Sequence, residues 1–213
     1  MDHVIGFAIV VGILTLVPGV DTILVLRNAV GGGSRLGVVT AAGVIAGCLT
    51  WALASGLGIA GVLAASQRAF GVLQLIGALY LLWLGGRALW GALRHTDGGI
   101  EVAADAPAIT PGNAFRMGLV NNLLNPKVGV FYLSILPQFL PTDGNVMLWS
   151  MGLASIHAIE GMLWFGGIAL LVGKVRTMLQ HPAVSRWLNG ISGVALIGFG
   201  MKILLDARRR LAI

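Results

Sequence analysis

Charge is scarce in this chain: only 10% of its 213 residues are Asp, Glu, Lys or Arg, whereas 57% are hydrophobic. A soluble domain carries about 25% charged residues. The shortage excludes an ordinary water-soluble globule and points to an integral membrane protein. Cysteine is scarcer still. Cys48 stands alone, which excludes an intramolecular disulfide and a cysteine metal cluster; within a long apolar stretch it reads as a small packing residue. Strict apolar–polar alternation in segments of about ten is also missing, which excludes a membrane β-barrel. No basic segment follows Met1-Asp2-His3, so the first apolar stretch is expected to be retained rather than cleaved as a signal peptide. Neither His-Glu-x-x-His nor Gly-x-Ser-x-Gly occurs, and Ser155 and His157, two residues apart, point apart on a helix. The chain thus lacks the marks of an enzyme and calls for no cofactor; the His157-x-x-Glu160 pair hints at a metal, but no second such pair occurs, and no bound metal is expected.

Long apolar runs, by contrast, are plentiful. From Arg35 to Arg68 lie 32 uncharged residues, and about 20 apolar residues span a bilayer. The 32 glycines suit helices that pack closely in lipid. The pattern predicts an all-α membrane protein of six transmembrane helices, at about 4–26, 37–64, 69–92, 114–140, 146–173 and 187–206. The single long polar connection, 94–113, holds His95, Asp97, Glu101, Asp105 and two prolines, and reads as a solvated cytoplasmic linker. It divides a first three-helix unit, 1–93, from a second, 114–213.

The net charge of +6 does not indicate nucleic acid, because the basic residues cluster at the ends of spans. Arg27, Arg35, Arg87, Arg94, Arg116, Lys174, Arg176 and Arg186 flank the connections after the first, third and fifth helices; the opposite side holds Arg68. The positive-inside rule puts the first group in the cytoplasm and both termini outside. Arg208-Arg209-Arg210 and Lys202 pull the other way at the C-terminus.

Two apolar stretches carry a charge beside a proline: Leu16-Val17-Pro18-Gly19-Val20-Asp21-Thr22 and Asn121-Asn122-Leu123-Leu124-Asn125-Pro126-Lys127. A charge at membrane depth costs roughly 2.5–3.5 kcal/mol on insertion scales and marks a transport pathway. Proline lacks an N–H and crowds the carbonyl four residues back. Both helices should break there, freeing the carbonyls of Leu14 and Asn122. The breaks lie at matching places in the two halves. With Pro18 aligned to Pro126, Gly43 falls within one residue of Gly152, Cys48 meets His157, and Trp51 meets Glu160. A repeat of three helices is necessarily inverted in the membrane, with its site at the interface between halves.

These segments carry a resemblance. Pro18-Gly19-Val20-Asp21-Thr22 with Gly31-Gly32-Gly33-Ser34-Arg35-Leu36-Gly37, then Gly77-Ala78-Leu79-Tyr80-Leu81-Leu82-Trp83-Leu84-Gly85, the Asn121–Lys127 run, and Phe131 through Pro137-Gln138-Phe139 are similar to the LysE/RhtB amino-acid exporters, in that family's order and over nearly the whole chain. One departure is Val20, where many relatives carry a second proline. The resemblance implies efflux of amino acids or related small metabolites across the bacterial inner membrane, driven by proton exchange. It does not name the substrate.

Within that frame Pro18, Gly19, Asp21, Asn121, Asn122, Asn125, Pro126 and Lys127 form the candidate substrate site. A half-helix starting at Pro18-Gly19 presents unpaired N–H groups to a carboxylate. Asp21 suits an ammonium or a proton, and Lys127 a carboxylate or Asp21 itself. The three amides offer donors and acceptors to a zwitterion; the structural alternative is that they hold helices together while Lys127 neutralises Asp21. His157, Glu160 and Trp164 occupy i, i+3 and i+7 and share a helical face. With Asp21, His157 and Glu160 are the candidate proton-coupling groups, a hydrogen-bonded packing pair being the alternative reading. The expected partners are therefore a small-molecule substrate, protons and lipid, with room left for a homodimer. A metal- or organic-cation exporter is the second functional reading, and a membrane scaffold or intramembrane enzyme ranks below it.

Overall fold

The computed structural model describes residues 2–65, 67–93, 109–141, 144–172, 174 and 181–211. The described residues are mostly helical, with no strand among them. Helix α1 runs Asp2–Leu16, α2 Val20–Ala65, α3 Gln67–Leu93, α4 Pro111–Leu123, α5 Pro126–Val130, α6 Val146–Leu170 and α7 Pro182–Leu211. After α5 the chain continues as a π-helical turn, Phe131–Ile135, and a 3-10 turn, Leu136–Phe139. Among the described residues three stretches are long and apolar enough to cross a membrane, Val20–Gly58, Val146–Leu170 and Arg186–Leu205; His3–Leu16 and Ala78–Leu93 are shorter apolar helices. Large apolar side chains such as Leu148, Leu163 and Trp187 lie on the outside, as lipid-facing residues do.

The expected break at Pro18 is present. Val17 to Gly19 are non-helical, and α2 starts at Val20. The Gly19 N–H donates to the Thr22 hydroxyl at 3.3 Å, half of a capping box at the new helix start. A connection over about 27–36 was expected, but helix continues through it to a single folded residue, Gly33, at φ 81° and ψ 167°. That region of backbone space is essentially restricted to glycine. The fold turns α2 back on itself. Asn28 Nδ2 donates to Thr40 Oγ1 at 2.9 Å, and a Cβ on Gly37 would lie 2.6 Å from that of Ala29. On a straight helix residues twelve apart would be roughly 18 Å from one another. α2 is thus two packed arms, 20–32 and 34–65.

The polar connection expected over 94–113 lies mostly outside the described residues. Its end differs from expectation: α4 begins at Pro111 because Thr110 caps it, accepting from the Asn113 N–H at 3.3 Å, with proline at the first helical position. The expected fourth helix is broken at Leu124–Asn125 as anticipated, but its second half loosens into the π turn and tightens into the 3-10 turn. Pro137 cannot donate to the Leu133 carbonyl, which removes an α-helical bond there.

Small residues set the helix crossings. A Cβ on Gly43 of α2 would collide with the Phe115 carbonyl of α4, and one on Gly118 with the Thr40 carbonyl. α3 and α7 cross where a Cβ on Gly85 would lie 2.8 Å from the Gly193 carbonyl oxygen, and one on Gly193 2.9 Å from that of Gly85. Such close approach is how helices associate in lipid. The apolar core falls into two clusters. One gathers Phe7, Val11, Leu14, Phe131, Tyr132 and Leu153; the other gathers Val25, Leu26, Val44, Phe165 and Ile168. Along α1–α2 the boundary between them falls at Val17–Asp21, along the long arm of α2 near Cys48, and along α6 near His157. Cys48 and His157 lie near the middles of their helical segments and Val17–Asp21 at the Pro18 break, and the buried Asp21, Thr22 and His157 stand at this boundary.

Candidate functional site

Asp21 lies in the first turn of α2, behind the Pro18 break, and is 6% exposed. A carboxylate buried this far needs several donors, and α4–α5 supply three. Asn121 Nδ2 donates to Oδ1 at 2.6 Å, while Asn122 Nδ2 and Asn125 Nδ2 donate to Oδ2 at 3.1 and 2.9 Å. Hydrogen bonds to a charged group are worth about 1.5–3 kcal/mol each, so the cradle fixes α2 against α4. Asn125 is bound at both ends of its amide: it caps α5, with Oδ1 accepting from the Lys127 N–H at 3.1 Å. Asn122 is bound at one end only. Its Nδ2 also reaches Cys48 Sγ at 3.5 Å, whereas its Oδ1 is buried without a partner. Gly47 makes the room, since a Cβ there would come within 2.6 Å of that oxygen.

Lys127 does not turn to Asp21. Its Nζ donates to the carbonyls of Leu14 at 2.7 Å and Val17 at 3.2 Å. Leu14 is the residue whose carbonyl Pro18 frees, and the end of α1 adds the negative pole of a helix dipole. The two breaks are therefore resolved differently. The Asn122 carbonyl, freed by Pro126, is taken by the Asn125 N–H at 3.0 Å, whereas the Leu14 carbonyl is left for a side-chain cation.

Between these groups lies a cavity of about 30 Å³ lined by Gly19, Asp21, Asn122, Asn125, Lys127 and His157, among others. That is room for about one water. His157, on α6, is 5% exposed and its Nδ1 lies 2.9 Å from the Tyr132 hydroxyl of the π turn. The Tyr132 ring stacks on the imidazole with centroids 5.7 Å apart. Glu160 faces elsewhere: with Gly12, Thr15, Leu16, Leu163 and Trp164 it lines a separate groove of about 350 Å³. Positions i and i+3 differ by roughly 60° around a helix, enough to send the two side chains into different cavities. Thr15 lines both cavities, and Glu160 Oε2 is buried without a partner. Asn121 also lines a wider groove of about 590 Å³ with Arg116, Met117 and Val120.

This chain matches the description "LysE type translocator" over residues 12–207. The chain belongs to the LysE type translocator family. It is similar to an uncharacterised membrane protein, YrhP, of Bacillus subtilis (strain 168), 27% identical over 95% of this chain and 98% of the relative. It is also similar to a threonine efflux protein of Salmonella typhi, 27% identical over 89% of this chain and 91% of the relative, and to a leucine efflux protein of Enterobacter sp. (strain 638), 27% identical over 89% of each. No solved structure matches it.

This LysE type translocator is thus a membrane transporter and not an enzyme. Its central cavity brings together Gly19, Asp21, Asn122, Asn125, Lys127 and His157 of the residues read from sequence. Asn121 joins through its bond to Asp21, and Pro18 and Pro126 act through the helix breaks beside it. Glu160 stands apart, in the groove beside Gly12 of the translocator's first helix. Three contributors were not anticipated. Tyr132 binds His157, Thr22 caps the half-helix, and Cys48, read as a packing residue, accepts from Asn122. The Pro137 that loosens the Tyr132 turn was a visible signal, but its effect on the preceding turn depends on tertiary packing.

Proposed function

We propose that this translocator exports amino acids or related small metabolites from the bacterial cytoplasm as a secondary transporter coupled to proton antiport. One observation carries the reading. A buried carboxylate cradled by three amides and a lysine ammonium on two freed carbonyls meet at the Pro18 break. Both charges of a zwitterion find complements there. The relatives named as threonine and leucine efflux proteins supply the direction.

The reading includes the inner membrane, six crossings and termini outside, in two inverted three-helix halves, 1–93 and 114–213, joined by a cytoplasmic linker. Cys48 and His157, which the repeat aligns, line the same cavity, and α3 packs on α7, its counterpart in the second half. Rocking of the halves would expose the cavity to each side in turn. Asp21 binds the substrate amine or a proton, and Glu160 and His157 serve proton movement, with Thr15 the wall between their cavities. A proton crossing 100 mV releases about 2.3 kcal/mol.

Proteoliposomes bearing the purified protein test this. Labelled L-threonine, L-leucine and other amino acids should show saturable counterflow, accelerated by an imposed pH gradient. Cells that lose the protein should accumulate the same compound. Absence of counterflow for every amino acid in vesicles that hold folded protein would contradict the reading.

A further inference from the structure

The Lys127 ammonium sits where a substrate ammonium would bind. Leu14 and Val17 end the first half-helix, and neither carbonyl has the backbone N–H that an unbroken helix would bring: Pro18 has none to give, and the first backbone bond of α2 is from Ile23 to Gly19. Both oxygens instead accept from Lys127 Nζ, at 2.7 and 3.2 Å. Two converging carbonyls at the negative end of a helix, with Asp21 lining the same cavity, form a site for any primary ammonium. The remaining cavity of about 30 Å³ holds about one water, so no amino acid enters while Lys127 keeps its place. The lysine is carried on a flexible four-carbon stem from the five-residue helix α5.

We infer that Lys127 is an internal stand-in for the substrate's ammonium group, displaced from the Leu14 and Val17 carbonyls when a primary-ammonium compound binds. Displacement frees both the oxygens and the volume, and turns the lysine head toward the substrate's carboxylate. The site then selects a primary ammonium with a carboxylate beside it and rejects N-acylated and deaminated analogues. An empty transporter keeps its buried carbonyls satisfied, and a loaded one exchanges one ammonium for another. This rests on the amino-acid-export reading; the alternative is a lysine that stays in place as a permanent staple.

The test excises the lysine side chain and returns it as a free molecule. Purified Lys127→Ala should be stabilised by n-butylammonium, with its unfolding temperature raised by roughly 3–5 °C at ten times the half-saturating concentration. Neutral n-butanol should do nothing, and the unaltered protein should need at least ten times more n-butylammonium. L-Threonine or L-leucine, whichever the unaltered protein carries, should compete with n-butylammonium on Lys127→Ala, while its N-acetyl derivative should not. Failure of n-butylammonium to stabilise the variant would overturn the inference. So would rescue, in which n-butylammonium restores amino-acid transport to Lys127→Ala instead of competing, because a staple must stay in place during turnover. Should Lys127→Ala not fold, Lys127→Met keeps most of the stem and is read in the same way with methylammonium. The two readings fail separately. If no amino acid competes and the unaltered protein carries none, the export reading falls while the ammonium site stands. If amino acids are carried but do not compete, the stand-in falls and export stands.

Discussion

Asn125 shows how one side chain joins a helix end to a buried charge. Its oxygen caps α5 and its nitrogen donates to Asp21. Substitutions can separate the two roles. Asn125→Asp keeps a capping oxygen but sets a second carboxylate against Asp21, so transport should fall at least about tenfold while the cap persists, given the 1.5–3 kcal/mol of a charged hydrogen bond. Asn125→Ala loses both, and a lost cap adds about 0.5–2 kcal/mol of destabilisation. Counterflow and thermal unfolding, measured on both variants, check this. Equal transport by Asn125→Asp and the unaltered protein would show that the amide does not serve the carboxylate. The same reasoning applies at Gly47, where Gly47→Ala would push its new methyl against Asn122 Oδ1.

Among the elements, the two proline breaks were legible because proline's missing N–H acts locally, whatever surrounds it. Pro18, Asp21, the three asparagines and Lys127 could therefore be placed near one another from sequence. The partners could not be fully assigned. From the sequence Lys127 suits a substrate carboxylate or Asp21, but its bonds go to the backbone carbonyls of Leu14 and Val17, which no residue type announces. His157 and Glu160 share a face by spacing alone, yet the packing of α1 and the Tyr132 turn sends them to different cavities. The fold in α2 was read as a loop because Arg27 to Arg35 is polar and glycine-rich; Asn28–Thr40 pairing instead extends helix to the single residue Gly33. Gly33→Ala should cost about 1–3 kcal/mol from backbone strain. No neighbour lies within 4 Å of the added methyl, so no steric term should join it. The expected fall in unfolding temperature is roughly 2–4 °C per kcal/mol. By contrast, Gly118→Val drives a side chain into the Thr40 carbonyl and should separate α2 from α4, lowering both stability and transport. A Gly118→Val protein as stable as the unaltered one would show that this crossing is looser than the structure has it.

Across the whole molecule, the candidate site lies between the two apolar clusters, with the Glu160 groove alongside and Thr15 lining both cavities. If the groove serves proton coupling, Glu160→Gln should keep downhill substrate exchange but lose its acceleration by a pH gradient. Unchanged acceleration would leave the coupling to the central cavity alone. The measurement that bears most directly on the account is transport by Asp21→Asn, because Asp21 is the point on which all three amides converge. In proteoliposomes this protein should insert and remain folded, while counterflow of the amino acid carried by the unaltered protein falls about 10–100-fold, as loss of a charged hydrogen-bond partner implies. Counterflow and gradient-driven rates equal to those of the unaltered protein would contradict the account.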